Sequence, residues 1–229
     1  LQGCPEMTQA PATALSLGSL CARAAALWPD RTALCFDATG EILSFAELDA
    51  RSNQLAHALV ALGVRPRDRV AVLAGNVPLF PLAWLAIAKA GACMVPVNPA
   101  YRDSDAQHLL AHAEVRLAIA DSPRGDLLRR LRQTMAGLQT LLIDSPGEPL
   151  QEPEHALQSL MGAQPRAPLG LDVPTDWLAN VQFTSGTPGL PKGCMLSHRY
   201  WTQLGCLIAD ELVELGPQDV MLTAQPFSY

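Results

Sequence analysis

Residues 184–193 read T-S-G-T-P-G-L-P-K-G and hold the side chains best suited to chemistry in this chain. These ten residues include three hydroxyl side chains, three glycines and one lysine, Lys192. Glycines let successive backbone N–H groups turn toward an anion, hydroxyls donate to phosphate oxygens, and lysine supplies a mobile positive charge. The segment follows an apolar stretch, 178–183, that is predicted to be a strand. The pattern therefore predicts a loop that binds a phosphate chain.

Two common phosphate-binding motifs do not fit this loop. The Walker motif G-x-x-x-x-G-K-[ST] needs a glycine before its lysine and a hydroxyl after it, whereas Pro191 and Gly193 flank Lys192 here. The dinucleotide fingerprint G-x-G-x-x-G is absent from every predicted strand–turn–helix unit. A plain turn rich in glycine and proline, with Lys192 in solvent, is the alternative interpretation.

The elements that must position this loop alternate between helical and strand periodicity. This alternation predicts an α/β fold of layered helices and sheets with largely parallel strands. A strand over 69–74, a helix over 78–90 and a strand over 93–97 form one crossover unit, which we expect to be right-handed. The pattern continues with helices over 103–113 and 123–135 and strands over 116–120 and 140–143.

The first part of the chain predicts a hairpin between two helices. A helix over 19–28 is followed by strands over 32–36 and 42–44 that are expected to pair. Ser44 and Glu47 form a capping box, S-x-x-E, for the next helix, which is long and amphipathic.

The last part of the chain is predicted to end on a helix and a strand. Ser197 is expected to cap a helix that continues to about residue 215. A final strand is predicted over 219–224.

We divide the chain into four parts on these patterns. Residues 1–16 are expected to be a flexible N-terminus or a cloning remnant, and 17–143 the first α/β subdomain. Residues 144–175 are rich in Pro, Gly, Glu and Gln and predict a connecting segment, with a short helical possibility over 154–160. Residues 176–229 are expected to be the truncated start of a second α/β part that carries the loop.

Composition and charge narrow the class of protein. Hydrophobic residues make up 49% and charged residues 17% of the 229 residues, as in ordinary globular proteins. The net charge of −6 and the lack of a dense basic block argue against nucleic-acid binding. The most apolar stretch, 82–97, is interrupted by Lys89, Gly91 and Pro96, so no membrane span is predicted.

The cysteines and the start of the chain bear on location. The start has no basic and continuous apolar regions of a signal peptide, and a cytoplasmic protein is expected. The six cysteines form no C-x-x-C pair, so neither a zinc site nor a disulfide framework is predicted.

The loop also resembles a known family signature. T-S-G-T-P-G-L-P-K-G followed by M-L-S-H is similar to the phosphate-binding signature of the adenylate-forming (AMP-binding) superfamily, which includes acyl-CoA synthetases, luciferases and adenylation domains of peptide synthetases. Residues 75–101 resemble the stretch that precedes this loop in acyl-CoA synthetases. The resemblance implies that the chain is the N-terminal portion of such an enzyme's large α/β domain.

What the resemblance implies for function is an acid–thiol ligase. ATP and a carboxylic acid would give an acyl-adenylate and pyrophosphate, and coenzyme A would then take the acyl group. Mg²⁺ would arrive with ATP, and Lys192 would act as the catalytic residue. The residues implied in phosphate binding are Thr184, Ser185, Gly186, Thr187, Pro188, Gly189 and Lys192.

Two other functions stay open under this resemblance. One is an adenylation enzyme that loads a carrier protein instead of coenzyme A, and the other is a nucleotide-binding module without catalysis. Members of the family continue past this point into further nucleotide-binding motifs and a mobile domain. We therefore expect residues 1–229 to be inactive alone. The identity of the acid and the oligomeric state are not indicated.

Two residues depart from the family pattern. Pro188 stands where the family usually has serine or threonine, which removes a hydroxyl donor and stiffens the loop. Tyr229 stands after Pro226-Phe227-Ser228 where the family usually has a histidine that borders the acyl site.

Four other features have both a functional and an ordinary interpretation, and the ordinary one is favoured for each. His198 is either a contact to the phosphates or a residue of a first helical turn. Cys194 is either a reactive thiol or a small core residue. The apolar helix face over 79–87, with Trp84, either lines an acyl tunnel or packs in the core. Four arginines either meet coenzyme A phosphates or form a solvated helix face: Arg124, Arg129, Arg130 and Arg132.

Overall fold

The computed structural model of the chain describes residues 12–144, 149–150, 152, 154–184, 192–212, 215–216 and 218–228. In that part of the chain the strands form a seven-stranded sheet and a separate two-stranded hairpin. The strands are β1 (Thr32–Phe36), β2 (Glu41–Ser44), β3 (Arg69–Leu73), β4 (Cys93–Pro96), β5 (Leu117–Ala120), β6 (Thr140–Ile143), β7 (Glu154–Ala156), β8 (Leu178–Thr184) and β9 (Lys192–Ser197). The α-helices are α1 (Leu17–Leu27), α2 (Phe45–Ala61), α3 (Leu79–Lys89), α4 (Asp103–His112), α5 (Gly125–Thr134), α6 (Leu157–Gly162) and α7 (His198–Leu207).

The large sheet has the strand order β7-β6-β5-β3-β4-β8-β9. Neighbouring strands are parallel throughout except for β8 and β9, which are antiparallel. β3 lies at the centre, and its residues from Val70 to Leu73 are completely buried. An unbroken apolar run of this kind is typical of a parallel strand that is covered on both faces. The predicted α/β fold with a largely parallel sheet is thus confirmed.

Helices cover both faces of this sheet. Val70 and Val72 pack against residues of α2, α3 and α6, whereas Ala71 and Leu73 pack against residues of α4 and α5. This division follows from the two-residue period of a strand, which sends alternate side chains to opposite faces. The result is a three-layer arrangement in which the sheet separates the two larger apolar clusters, and a third, smaller cluster contains Cys21, Leu43, Leu48 and Leu82.

Serine side chains cap the N-termini of three helices. Ser16, Ser44 and Ser197 each accept a hydrogen bond from the backbone N–H three residues later, at 3.2 Å. The predicted caps at Ser44 and Ser197 are confirmed. β1 and β2 form the predicted antiparallel hairpin.

The segment predicted to connect two subdomains contributes to the sheet itself. The sequence allowed a short helix over 154–160, but Glu154–Ala156 forms β7, parallel to β6, and α6 begins only at Leu157. The buried Glu154 carboxylate explains this placement, because its Oε1 lies 2.9 Å from Nε of Arg129 on α5. This contact joins β7 to a helix earlier in the chain, and the local periodicity of the sequence does not indicate such a contact.

The end of the chain also differs from the prediction. The strand expected over 219–224 is absent from the described residues 218–228, and Val220 and Leu222 are 93% and 94% exposed there. A strand persists only where a neighbouring edge accepts its backbone hydrogen bonds, and periodicity does not report that edge. The helix after Ser197 is α-helical only to Leu207 and continues as a π-helical turn, Ile208–Leu212. β9 was not predicted.

β8 and β9 extend the same sheet as β3 to β7. The division of the chain into 17–143, 144–175 and 176–229 as separate parts stays a prediction. None of the described helices has the length and apolar character that a membrane span requires.

Candidate functional site

The carboxyl ends of β3, β4 and β8 lie along one edge of the sheet, because these strands are parallel neighbours. In open α/β sheets, ligands bind in the crevice outside the carboxyl ends of the strands. The residues that follow β3 are Ala74, Gly75 and Asn76, and β8 ends at Thr184. This edge is therefore the place to look for a site.

A hairpin brings both ends of the predicted phosphate loop to this edge. β8 and β9 are antiparallel, and Thr184 pairs with Lys192 in the register of the two strands. Both residues are exposed. A hydroxyl donor and an ammonium group thus stand opposite each other where the loop leaves and rejoins the sheet.

The other predicted phosphate-binding residues lie outside the described residues. These are Ser185, Gly186, Thr187, Pro188 and Gly189. Tyr229, which departs from the family pattern, lies outside them as well. The roles assigned to all these positions, and to Thr184 and Lys192, stay predictions.

Gly193, which follows Lys192, is required by close packing of the hairpin. A Cβ atom at this position would lie 2.8 Å from Cγ1 of Val181 and 3.3 Å from the ring of Phe183. A side chain at this position would force the Val181 side chain, the Phe183 ring or the strands themselves to shift. The glycine therefore fixes the start of β9 and with it the position of the Lys192 backbone.

Sequence reasoning missed two amide side chains that hold the segment 225–228 at this edge. Asn76 Nδ2 donates to the carbonyl of Gln225 at 2.9 Å, and its Oδ1 accepts from the Phe227 N–H at 3.0 Å. Gln182 Nε2, on β8, donates to the Ser228 carbonyl at 3.2 Å. Their only sequence signal is a polar residue just after, or near the end of, an apolar strand.

His198 is a buried structural residue of the first turn of α7. Its side chain is completely buried, and Nδ1 accepts a hydrogen bond from the Leu17 N–H at 3.3 Å. Burial lowers the pKa of His198 to about 4, so the imidazole is neutral at pH 7. The interpretation as a first-turn helix residue is confirmed, although its hydrogen bond joins a distant part of the chain.

The remaining features resolve largely to their ordinary interpretations. The helix α3 packs in the core through Leu79, Phe80 and Ile87, while Trp84 is half-buried with its ring 5.0 Å from that of Trp201. The favoured interpretation of Cys194 as a small core residue is wrong, because its side chain is exposed on β9. It lies on the outer strand of the sheet, where no further described strand covers it.

Three of the four arginines on α5 and just before it pair with carboxylates. Arg124 pairs with Asp121, and Arg130 Nε lies 2.9 Å from Oδ2 of Asp103. Arg129 pairs with the buried Glu154 and with Asp126. These contacts favour structural roles over a site for coenzyme A phosphates.

The described residues contain no cluster of three or more His, Cys, Asp or Glu side chains that would hold a metal ion. The two described ends of the loop, a hydroxyl and an ammonium group, instead suit anionic oxygens. A largely parallel, helix-covered sheet, with Thr184 and Lys192 paired at its carboxyl edge, is typical of the α/β class of domains that bind ligands at that edge.

The chain belongs to the AMP-binding enzyme family, whose model matches residues 21–229. It is 35% identical over 173 residues to the phosphinothricin tripeptide synthetase PhsC of Streptomyces viridochromogenes, covering 75% of this chain and 14% of that protein. It is 29% identical over 213 residues to a crotonobetaine/carnitine–CoA ligase of Salmonella arizonae, covering 88% of this chain and 40% of that protein.

A solved structure shares the fold. The acetoacetyl-CoA synthetase from Streptomyces lividans superposes with a TM-score of 0.84 at 26% identity, over 94% of this chain and 35% of that chain. The chain thus spans less than half the length of each of these three proteins. The membership predicted from the loop signature is confirmed.

Proposed function

We propose that the natural protein carrying this chain is an ATP-dependent ligase that activates a carboxylic acid as an acyl-adenylate and passes the acyl group to coenzyme A. A carboxylate oxygen attacks the α-phosphorus of ATP, and the bond to the bridging oxygen of the β-phosphate breaks. Pyrophosphate leaves with the electron pair of that bond. The thiolate of coenzyme A then attacks the acyl carbon, and AMP leaves.

The observation that supports this proposal most directly is the pairing of Thr184 with Lys192 at the carboxyl edge of the sheet. It brings the two ends of the loop together, so that the Thr184 hydroxyl and the Lys192 ammonium group stand close enough to bind one phosphate chain. Lys192 supplies positive charge where negative charge accumulates on the departing pyrophosphate. The Thr184 hydroxyl donates to a phosphate oxygen beside it.

The other loop residues would complete the phosphate site. Ser185 and Thr187 would supply hydroxyl donors, and Gly186 and Gly189 would supply backbone N–H donors to the anion. Pro188 supplies no N–H and restricts the loop. Mg²⁺, held by phosphate oxygens of ATP, would neutralise further charge on the leaving group.

A second candidate function is an adenylation enzyme that loads a carrier protein. The similarity to a peptide synthetase, at 35% identity, favours it. The two candidates share the adenylation step and differ only in the thiol. The similarity to a CoA ligase over a larger share of this chain makes coenzyme A the first candidate.

The test is carboxylate-dependent ATP–pyrophosphate exchange by the complete natural protein, with short, long, branched and aromatic acids. Exchange with one class of acid is expected, and thioester formation then distinguishes free coenzyme A from a carrier. A folded protein that binds ATP and shows no exchange with any acid would overturn the ligase proposal. That result would favour the alternative function of a nucleotide-binding module without catalysis.

Chemical labelling tests the loop independently of the acid. Lys89 and Lys192 are the two lysines of the chain. Lys192 is exposed, whereas the Lys89 side chain is only 9% exposed and ion-paired with Asp49. An amine-reactive reagent, read out by mass spectrometry of the two peptides, is expected to modify Lys192, and MgATP is expected to protect it. Labelling of Lys192 that is unaffected by MgATP would contradict its placement at the phosphates.

A further inference from the structure

The side chain of Asn76 holds the segment 225–228 by pairing with its backbone. Nδ2 donates to the Gln225 carbonyl at 2.9 Å, and Oδ1 accepts from the Phe227 N–H at 3.0 Å. The Gln225 carbonyl and the Phe227 N–H both face Asn76 where the chain bends. A carboxamide, which carries a donor and an acceptor side by side, matches this pair of groups.

The loop that carries Asn76 is itself fixed to the neighbouring strand. The Gly75 N–H donates to Oδ2 of Asp121, which follows β5, at 2.9 Å. Asp121 is buried and also pairs with Arg124. Asn76 therefore presents its carboxamide from a loop that this hydrogen bond ties to the end of β5.

A second contact places the segment on the same side of β8 as the end of the phosphate loop. Gln182 Nε2 donates to the Ser228 carbonyl at 3.2 Å. Gln182 precedes Thr184 by two residues, and residues two apart on a strand point to the same face. The segment 225–228 therefore lies beside the point where the loop leaves β8.

Aromatic packing completes the attachment. The ring of Phe227 stacks on that of Phe80 at a centroid distance of 5.6 Å and meets the edge of Phe36 at 6.2 Å. Ser228 is buried, whereas Val220 and Leu222 earlier in the same stretch are almost fully exposed. The chain is thus held specifically at 225–228.

We propose that Asn76 is a positioning residue that fixes 225–228 as the wall of the site next to the phosphate loop, and so sets which carboxylic acid is accepted. This inference rests on the proposed function. The acid must bring its carboxylate to the phosphate chain, so the rest of the molecule passes the surfaces beside the loop. Asn76 acts on that surface through the backbone of Gln225 and Phe227.

The test uses ATP–pyrophosphate exchange in the complete natural protein with Asn76→Ala and a matched control, Gln54→Ala. The side-chain amide of Gln54 also holds a distant backbone, donating to the carbonyls of Met161 and Gln164 at 3.0 and 3.2 Å, but on α2 away from this edge. Asn76→Ala is expected to raise KM for the acid about tenfold and to change the ranking of acids. KM for ATP is expected to stay within about twofold of wild type, and Gln54→Ala is expected to change neither.

Two results for Asn76→Ala would overturn the inference. One is an equal change in KM for the acid and KM for ATP, and the other is an unchanged KM for the acid with an unchanged ranking of acids. Hydrogen exchange separates this failure from a failure of the proposed function. Asn76→Ala is expected to speed exchange of the Phe227 amide, because Oδ1 no longer accepts from it. A wild-type protein that shows no ATP–pyrophosphate exchange would overturn the ligase proposal, and with it the role of Asn76 in acid selection. If the hydrogen-exchange rate of the Phe227 amide is the same in Asn76→Ala and wild type, the proposed hold of Asn76 on 225–228 is overturned.

Discussion

Lys89 of α3 and Asp49 of α2 form a largely buried ion pair, with Nζ 2.8 Å from Oδ1. The same Nζ donates to the Asp49 carbonyl, to Ser52 Oγ at 2.7 Å and to Asn53 Oδ1 at 2.8 Å. One ammonium group therefore joins α3 to a full turn of α2. The chain's two lysines have opposite surroundings, since Lys192 is exposed at the edge of the sheet.

Lys89→Ala is expected to lower the free energy of unfolding by about 3 kcal/mol or more, because it leaves the Asp49 carboxylate largely buried without its partner. Urea denaturation of the complete natural protein measures this loss. Arg130→Ala is the control, since Arg130 and Asp103 are 56% and 54% exposed, and a surface ion pair of this kind contributes little to stability. Equal losses in the two variants would contradict a special role for Lys89.

Lys192→Ala is expected to slow adenylation by about a hundredfold or more while leaving the urea midpoint unchanged, because its side chain is exposed. Single-turnover formation of the acyl-adenylate measures the step. Lys192→Arg keeps the positive charge and is expected to retain more activity than the alanine variant. Wild-type rates in Lys192→Ala would remove this residue from the mechanism.

The buried His198 predicts a dependence of stability on pH. Its folded-state pKa, about 4, lies below the ordinary value of about 6.5, because burial disfavours the charged imidazole. Between these values the unfolded state binds more protons, so this contribution to stability is complete above about pH 6.5 and falls as the pH is lowered toward 4. Urea midpoints measured across this window are expected to fall by less in His198→Gln than in wild type.

His57→Gln is the matched control for that measurement, because it replaces a histidine outside the buried contact with Leu17. A pH dependence lost equally in both variants would contradict the assignment to His198.

Gly193→Ala is expected to lower the free energy of unfolding by about 2 kcal/mol, because its methyl group would meet Cγ1 of Val181 on β8. The double variant with Val181→Ala removes that contact and is expected to lose less than the two single variants added together. Strictly additive losses would show that the two positions do not meet. Urea denaturation of all three variants provides the comparison.

The sequence by itself determined most of the elements near the sheet centre. The apolar run of β3 and the serines before α2 and α7 are local signals, because strand burial, helix capping and turn formation act over a few residues. The loop signature likewise identified the family, since its glycines, hydroxyls and lysine are contiguous.

Only the tertiary structure decided the features that depend on a distant partner. β7 forms because the edge of β6 accepts its backbone hydrogen bonds and Arg129 pairs with its Glu154. No strand forms over 219–224, although the sequence pattern predicted one. Asn76 meets Gln225 and Phe227 from 149 and 151 residues away. A hydrogen bond or an open sheet edge at such a separation leaves no trace in local periodicity, because its partner is chosen by the packing of the whole sheet.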